Sequence, residues 1–128
     1  MSRGRSHFIQ AFRHAFDGIK GALRRERHMR FHFAAAIVVV ILAAWLQVGR
    51  MEWLWLLAAI TGVWVSELLN TAIERAVDLA TTEVHPLAKA AKDTAAGAVL
   101  VAAFFAAVVG FIILGPPLWE AIFDWRSS

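Results

Sequence analysis

The sequence predicts an all-α integral membrane protein. It predicts three transmembrane helices per chain and an N-terminal amphipathic surface helix. Two observations carry that prediction. Apolar residues make up 59% of the 128 positions, and mean hydropathy is +0.59, which is more apolar surface than a soluble domain of this size can bury. The apolar residues also gather into three runs of membrane length, separated by short polar breaks. The length suits one domain over 1–128. There is no cysteine, so no disulfide and no thiolate chemistry is expected.

Residues 6–25 form the expected surface helix. Phe8, Phe12, Phe16, Ile19 and Leu23 recur at helical spacing, while Arg13, Asp17, Lys20 and Arg24 face elsewhere. Such a helix is too polar to span and is expected to lie among lipid headgroups. The N-terminal region lacks the pattern of a cleaved signal peptide, so the first span is expected to stay.

The first span is expected over 31–48, rich in Ile, Val and Ala, with a tight loop over 47–52. A second helix is expected over 53–80, apolar at first and polar beyond Glu74. Thr81 to His85 break the chain, and Pro86 suits the first position of the next helix. That helix runs over 86–114, polar to Asp93 and apolar from Thr94. Gly115-Pro116-Pro117 is expected to end it, leaving 115–128 as a short amphipathic tail.

Charge is uneven. Residues 1–30 carry eight Lys/Arg and two acids, and the remainder carries five Lys/Arg and eight acids. A basic arm beside a membrane span marks the cytoplasmic face and attracts anionic lipid, so no nucleic-acid partner is expected. The positive-inside rule puts the N-terminus and the 74–93 segment in the cytoplasm. Trp45, Trp53, Trp55, Trp119 and Trp125 then gather near the opposite interface, with Trp64 as the exception.

Polar side chains collect at the cytoplasmic depth. Glu26, His28, Arg30 and His32 come from the arm and the first span. Glu67, Asn70, Glu74 and Asp78 share one face of the second helix. Glu83, His85, Lys89, Lys92 and Asp93 follow. A carboxylate at mid-bilayer costs about 3 kcal/mol on insertion scales, which argues for a purpose behind Glu67. Carboxylates from separate segments suit a hard cation such as Mg²⁺. Lysines suit phosphate oxygens, and a partly dry carboxylate suits a general base. Those parts would make a phosphoryl-transfer site. No Walker loop, dinucleotide fingerprint or protein-kinase motif set is present. Read on residues alone, a small transporter or proton-coupled channel subunit, or a non-catalytic lipid-binding subunit, stays open. Arg13, Lys20, Arg24, Arg25 and Arg27 read as a solvated headgroup-facing side. His7, His28 and His32 read as interfacial polar residues. Asp78 reads equally as a site residue or an ordinary surface acid.

The run from Ser66 to Asp78 reads SELLNTAIERAVD, and residues 83–100 read EVHPLAKAAKDTAAGAVL. Upstream stand Glu26, the run Met29-Arg30-Phe31-His32, and Ala44-Trp45-Leu46. Together they strongly resemble the small bacterial integral-membrane lipid kinases, the diacylglycerol kinase and undecaprenol kinase family, over roughly residues 8–115. The H-P-L-A-K, V-D-L and M-R-x-H segments are more similar to the undecaprenol kinase branch.

The resemblance implies a homotrimer in the bacterial inner membrane, with active sites shared between protomers. It implies transfer of the γ-phosphate of ATP to a lipid alcohol, undecaprenol or else diacylglycerol, with Mg²⁺. Glu67 matches the catalytic base, and Asn70 a residue that orients the reacting groups. Glu26 and Glu74 match the metal-binding carboxylates. His14, Glu26, Glu74, Glu83, His85, Lys92 and Asp93 match nucleotide-binding positions. Arg30, Trp45, Glu67 and Ala96 match positions along the lipid path. His14 stands where the family commonly has Tyr, and His7 where some members have Arg.

Overall fold

A computed structural model describes residues 2–127, with the side chains of residues 4–124. It contains four helices: α1 (Ser2–Arg25), α2 (Arg27–Trp45), α3 (Arg50–Ala80) and α4 (Pro86–Ser127). No strand occurs among the described residues. Helices α2, α3 and most of α4 are each long and apolar enough to cross a membrane. The protein is therefore a multi-pass membrane protein, since only closed backbone hydrogen bonding survives in hydrocarbon.

Helix α1 is amphipathic as its spacing predicts. Phe8, Phe12 and Phe16 are exposed along one face, and the Phe8 and Phe12 rings meet edge to face at 5.1 Å. Near its C-terminus Ala22 is fully buried. Arg24 and Arg25 in the last turn complement the negative end of the helix dipole. Glu26 then adopts an extended backbone (φ −99°, ψ 114°), which stops α1 and starts α2.

Helix α2 ends in a Schellman motif. Gln47 N–H donates to Ala44 O at 3.2 Å, and Val48 N–H donates to Ala43 O at 3.3 Å. This motif needs a left-handed residue, normally glycine; here Gln47 takes it, with φ 54°. Gly49 caps α3, and the Glu52 carboxylate turns back to accept from Gly49 N–H at 2.9 Å. That is one half of a capping box, since glycine has no side chain to supply the other.

Helix α3 has 31 residues, about 46 Å at 1.5 Å per residue. A hydrocarbon core is about 30 Å thick, so its polar C-terminal turns stand clear of the bilayer. Leu56, Ala59, Val63, Glu67 and Thr71 are its buried residues. Their spacing of three or four places them in one stripe. This stripe packs chiefly against α4 and also meets α2. The core joins Ala43 of α2, Leu56 and Ala59 of α3, and Val109 and Leu114 of α4. It occupies the half of the bundle away from Glu74 and the α3–α4 loop.

Contrary to expectation, the last helix does not end at Gly115-Pro116-Pro117; α4 continues through both prolines. Each proline removes a backbone donor, which ends most helices in water. Unwinding in an apolar medium would strand further carbonyls and amides without partners, so the helix holds. Beyond the prolines, Trp119 and Phe123 pack at 4.4 Å between ring centroids, one turn apart. Trp45, Trp55 and Trp119 are exposed, as an aromatic belt requires. The Trp125 side chain lies outside the described residues. Trp64 stacks on Phe33 at 5.2 Å instead.

Candidate active site

The α3 stripe sets the depth of the site. Glu67 is 4% exposed and lies one turn beyond Val63 on the buried face. Its carboxylate Oε1 is 3.1 Å from Nε2 of His32 on α2. The start of α2 and the later part of α3 lie side by side because the two helices run antiparallel through one tight loop. The contact joins two different helices at the depth of the buried stripe. Among the described residues His32 is the sole polar partner of Glu67.

One turn further, the Asn70 amide donates to Oε1 of Glu74 at a long 3.4 Å. The Asn70 carbonyl oxygen is buried with no protein partner. A buried acceptor without a donor carries a desolvation cost of about 1–3 kcal/mol. This pair is thus an under-satisfied set of oxygens at the end of the buried stripe.

The α3–α4 connection makes a pocket of about 510 Å³. Asp78, Thr81, Thr82, Glu83, His85, Lys89, Lys92 and Asp93 line it. Local chemistry shapes the loop. Thr81 leaves the helix in an extended conformation, and its hydroxyl accepts from Glu83 N–H at 3.1 Å. His85 caps α4, its Nδ1 accepting from Leu87 N–H at 3.1 Å. Pro86 follows as the first helical residue, which loses no hydrogen bond there. The cap leaves Nε2 of His85 as the ring atom available to a ligand. Across the pocket Lys92 donates to Asp78 at 2.6 Å, and Lys89 pairs with Asp93 one turn along α4.

The expected site residues thus divide. Glu67, Asn70 and Glu74 follow one another along α3, and Glu83, His85, Lys92 and Asp93 share the adjoining pocket. Glu26 is half-buried at the α1–α2 corner, is not among the pocket-lining residues, and makes no described side-chain hydrogen bond. His14, Arg30 and Ala96 are exposed. Trp45 lies thirteen residues along α2 from His32, about 20 Å away by helical rise. Among the described residues no group of three or more His, Asp or Glu converges as a metal site. Two residues gain partners that spacing along the chain does not reveal. His32, an interfacial polar residue by sequence, is the partner of Glu67. Asp78, open between site and surface by sequence, is the partner of Lys92. The signal that could find His32 is depth: a polar residue at the start of one span stands level with one near the end of the next.

Comparison with known proteins identifies the family. The family model for prokaryotic diacylglycerol kinase matches residues 13–114. The chain is 46% identical to an undecaprenol kinase of Bacillus subtilis (strain 168), over 88% of this chain and 92% of the relative. It is 38% identical to a diacylglycerol kinase of Helicobacter pylori (strain J99), over 84% of each. It is 32% identical to a diacylglycerol kinase of Escherichia coli (strain K12), over 87% of this chain and 91% of the relative. The chain belongs to the prokaryotic diacylglycerol kinase family of membrane lipid kinases.

Proposed function

We propose that the protein transfers the γ-phosphate of ATP to the hydroxyl of a membrane lipid alcohol, at the cytoplasmic face of the bacterial inner membrane. Undecaprenol is the preferred acceptor and diacylglycerol the alternative. The higher identity to the undecaprenol kinase supports that order. The observation that carries the reading is a buried carboxylate, Glu67, placed on the same helix as Asn70 and Glu74 and leading to a pocket with two lysines.

In this reading Glu67 accepts the proton of the lipid hydroxyl. The hydroxyl oxygen forms a bond to the γ-phosphorus as the bond to the bridging oxygen breaks, and ADP leaves. Lys92, Lys89 and His85 hold the nucleotide, and an incoming phosphate takes the ammonium groups from Asp78 and Asp93. Glu83 and Asp93 contact the rest of the nucleotide, together with His14 of α1. Asn70 orients the reacting groups, and Arg30, Trp45 and Ala96 line the lipid path.

Glu26 and Glu74 would hold Mg²⁺. All-oxygen donors suit this cation, and the unpartnered Asn70 carbonyl and loosely bonded Glu74 carboxylate are donors of that kind. The cation, when bound, neutralises charge on the phosphates. One chain supplies too few ligands for a closed cage, which supports sites shared between protomers of a homotrimer. Exposed Leu100, Phe104 and Phe111 along α4 offer apolar surface for lipid or for another copy.

The test uses purified protein in detergent with labelled ATP, offered undecaprenol and diacylglycerol in parallel. Phosphorylated undecaprenol should dominate, and Glu67→Gln should lower turnover by about 10²–10⁴-fold, as loss of a general base does. Wild-type turnover in that variant would remove Glu67 from the role.

A further inference from the structure

We infer that His32 is a positioning residue for phosphoryl transfer, fixing the Glu67 carboxylate through the contact of its Nε2 with Oε1. The inference rests on Glu67 being the base. A glutamate side chain has three rotatable bonds, and the rotor that carries its oxygens is soft. Burial alone does not choose which oxygen faces the substrate. A close polar contact from a different helix restricts that choice.

The geometry meets that need. Nε2 of His32 is 3.1 Å from Oε1 of Glu67, and no other polar group bonds that carboxylate among the described residues. Neither carboxylate oxygen is among the buried atoms that lack a partner. The imidazole is itself held. Phe31 meets it edge to face, at 5.5 Å between centroids. Beside it lies a cavity of about 90 Å³, bounded by Ala35, Val39, Val63, Trp64 and Ala106. This wall offers neither ring nitrogen an acceptor that would draw it away from Glu67.

The contact also couples the site to helix packing. His32 belongs to α2 and Glu67 to α3, so the carboxylate's aim depends on the register of the two spans. A misplacement of about 1 Å in a reacting group can cost about 100-fold in rate.

The experiment is steady-state kinetics on the purified full-length chain with ATP and undecaprenol, comparing His32→Ala, His32→Gln and Glu67→Gln. Thermal melting accompanies each variant. His32→Ala is expected to lose about 100-fold in kcat, with KM for ATP and for lipid held within about twofold. His32→Gln, whose amide N–H reaches nearly as far as Nε2, is expected to recover turnover to within about tenfold of wild type. A kcat for His32→Ala near wild type, with Glu67→Gln inactive, would overturn the positioning role and leave the base in place. An active Glu67→Gln would overturn the base assignment itself. Should His32→Ala fail to fold, a folded His32→Gln as inactive as Glu67→Gln would still defeat the positioning account.

Discussion

Lys92 of α4 reaches back to Asp78 of α3, its ammonium 2.6 Å from the carboxylate oxygen, and closes the far side of the loop pocket. Fourteen residues separate the two in sequence. The helical hairpin makes them neighbours, and it holds the Lys92 ammonium on an exposed, exchangeable partner at the pocket. Exposed ion pairs of this kind contribute little to stability. Asp78→Asn should therefore leave the melting temperature unchanged. Lys92→Ala should raise the KM for ATP at least about tenfold, the loss of one charge-assisted phosphate contact. Equal KM values for Lys92→Ala and wild type would place the nucleotide elsewhere.

Removal of divalent cations should stop the reaction, and added Mg²⁺ should restore it. Glu74→Gln and Glu26→Gln should each raise the Mg²⁺ concentration at half-maximal rate by about tenfold or more, since each removes a charged oxygen ligand. A magnesium titration that superimposes on wild type for both variants would show that the two carboxylates do not hold the cation.

His85 has a structural duty besides any contact with nucleotide. Its Nδ1 satisfies the Leu87 N–H at the start of α4. His85→Ala should cost about 1 kcal/mol of stability through the lost cap, and His85→Asp should retain it. Both should weaken ATP binding, because neither supplies Nε2. Melting curves and ATP titrations on the two variants separate these duties. Equal stability of the alanine and aspartate forms would remove the cap.

Gln47 carries a conformational cost at the end of α2. Its left-handed backbone, φ 54°, is disfavoured for a residue with a Cβ by about 1–2 kcal/mol. Gln47→Gly relieves that strain but adds freedom to the unfolded chain, about 0.5–1 kcal/mol. The net gain should be about 0.5–1 kcal/mol, read as a raised melting temperature with unchanged turnover. A drop in melting temperature would mean the turn is not of this kind.

The helices are legible in the sequence because their causes are local. Period-3.6 phenylalanines write α1, uninterrupted apolar runs write the spans, and Pro86 after a polar break writes the start of α4. Glu67, Asn70 and Glu74 are legible for the same reason, as polar residues at helical spacing that begin where hydrocarbon makes Glu67 expensive. Gly115-Pro116-Pro117 points the wrong way, because proline's helix-ending habit belongs to water, and the surrounding medium reverses the balance. Only the three-dimensional arrangement pairs His32 with Glu67 and Lys92 with Asp78. Each pair joins different helices, and its distance follows from how the spans lie against one another. Spacing along a chain reports which face a residue takes; it carries no information about what the neighbouring helix presents to that face.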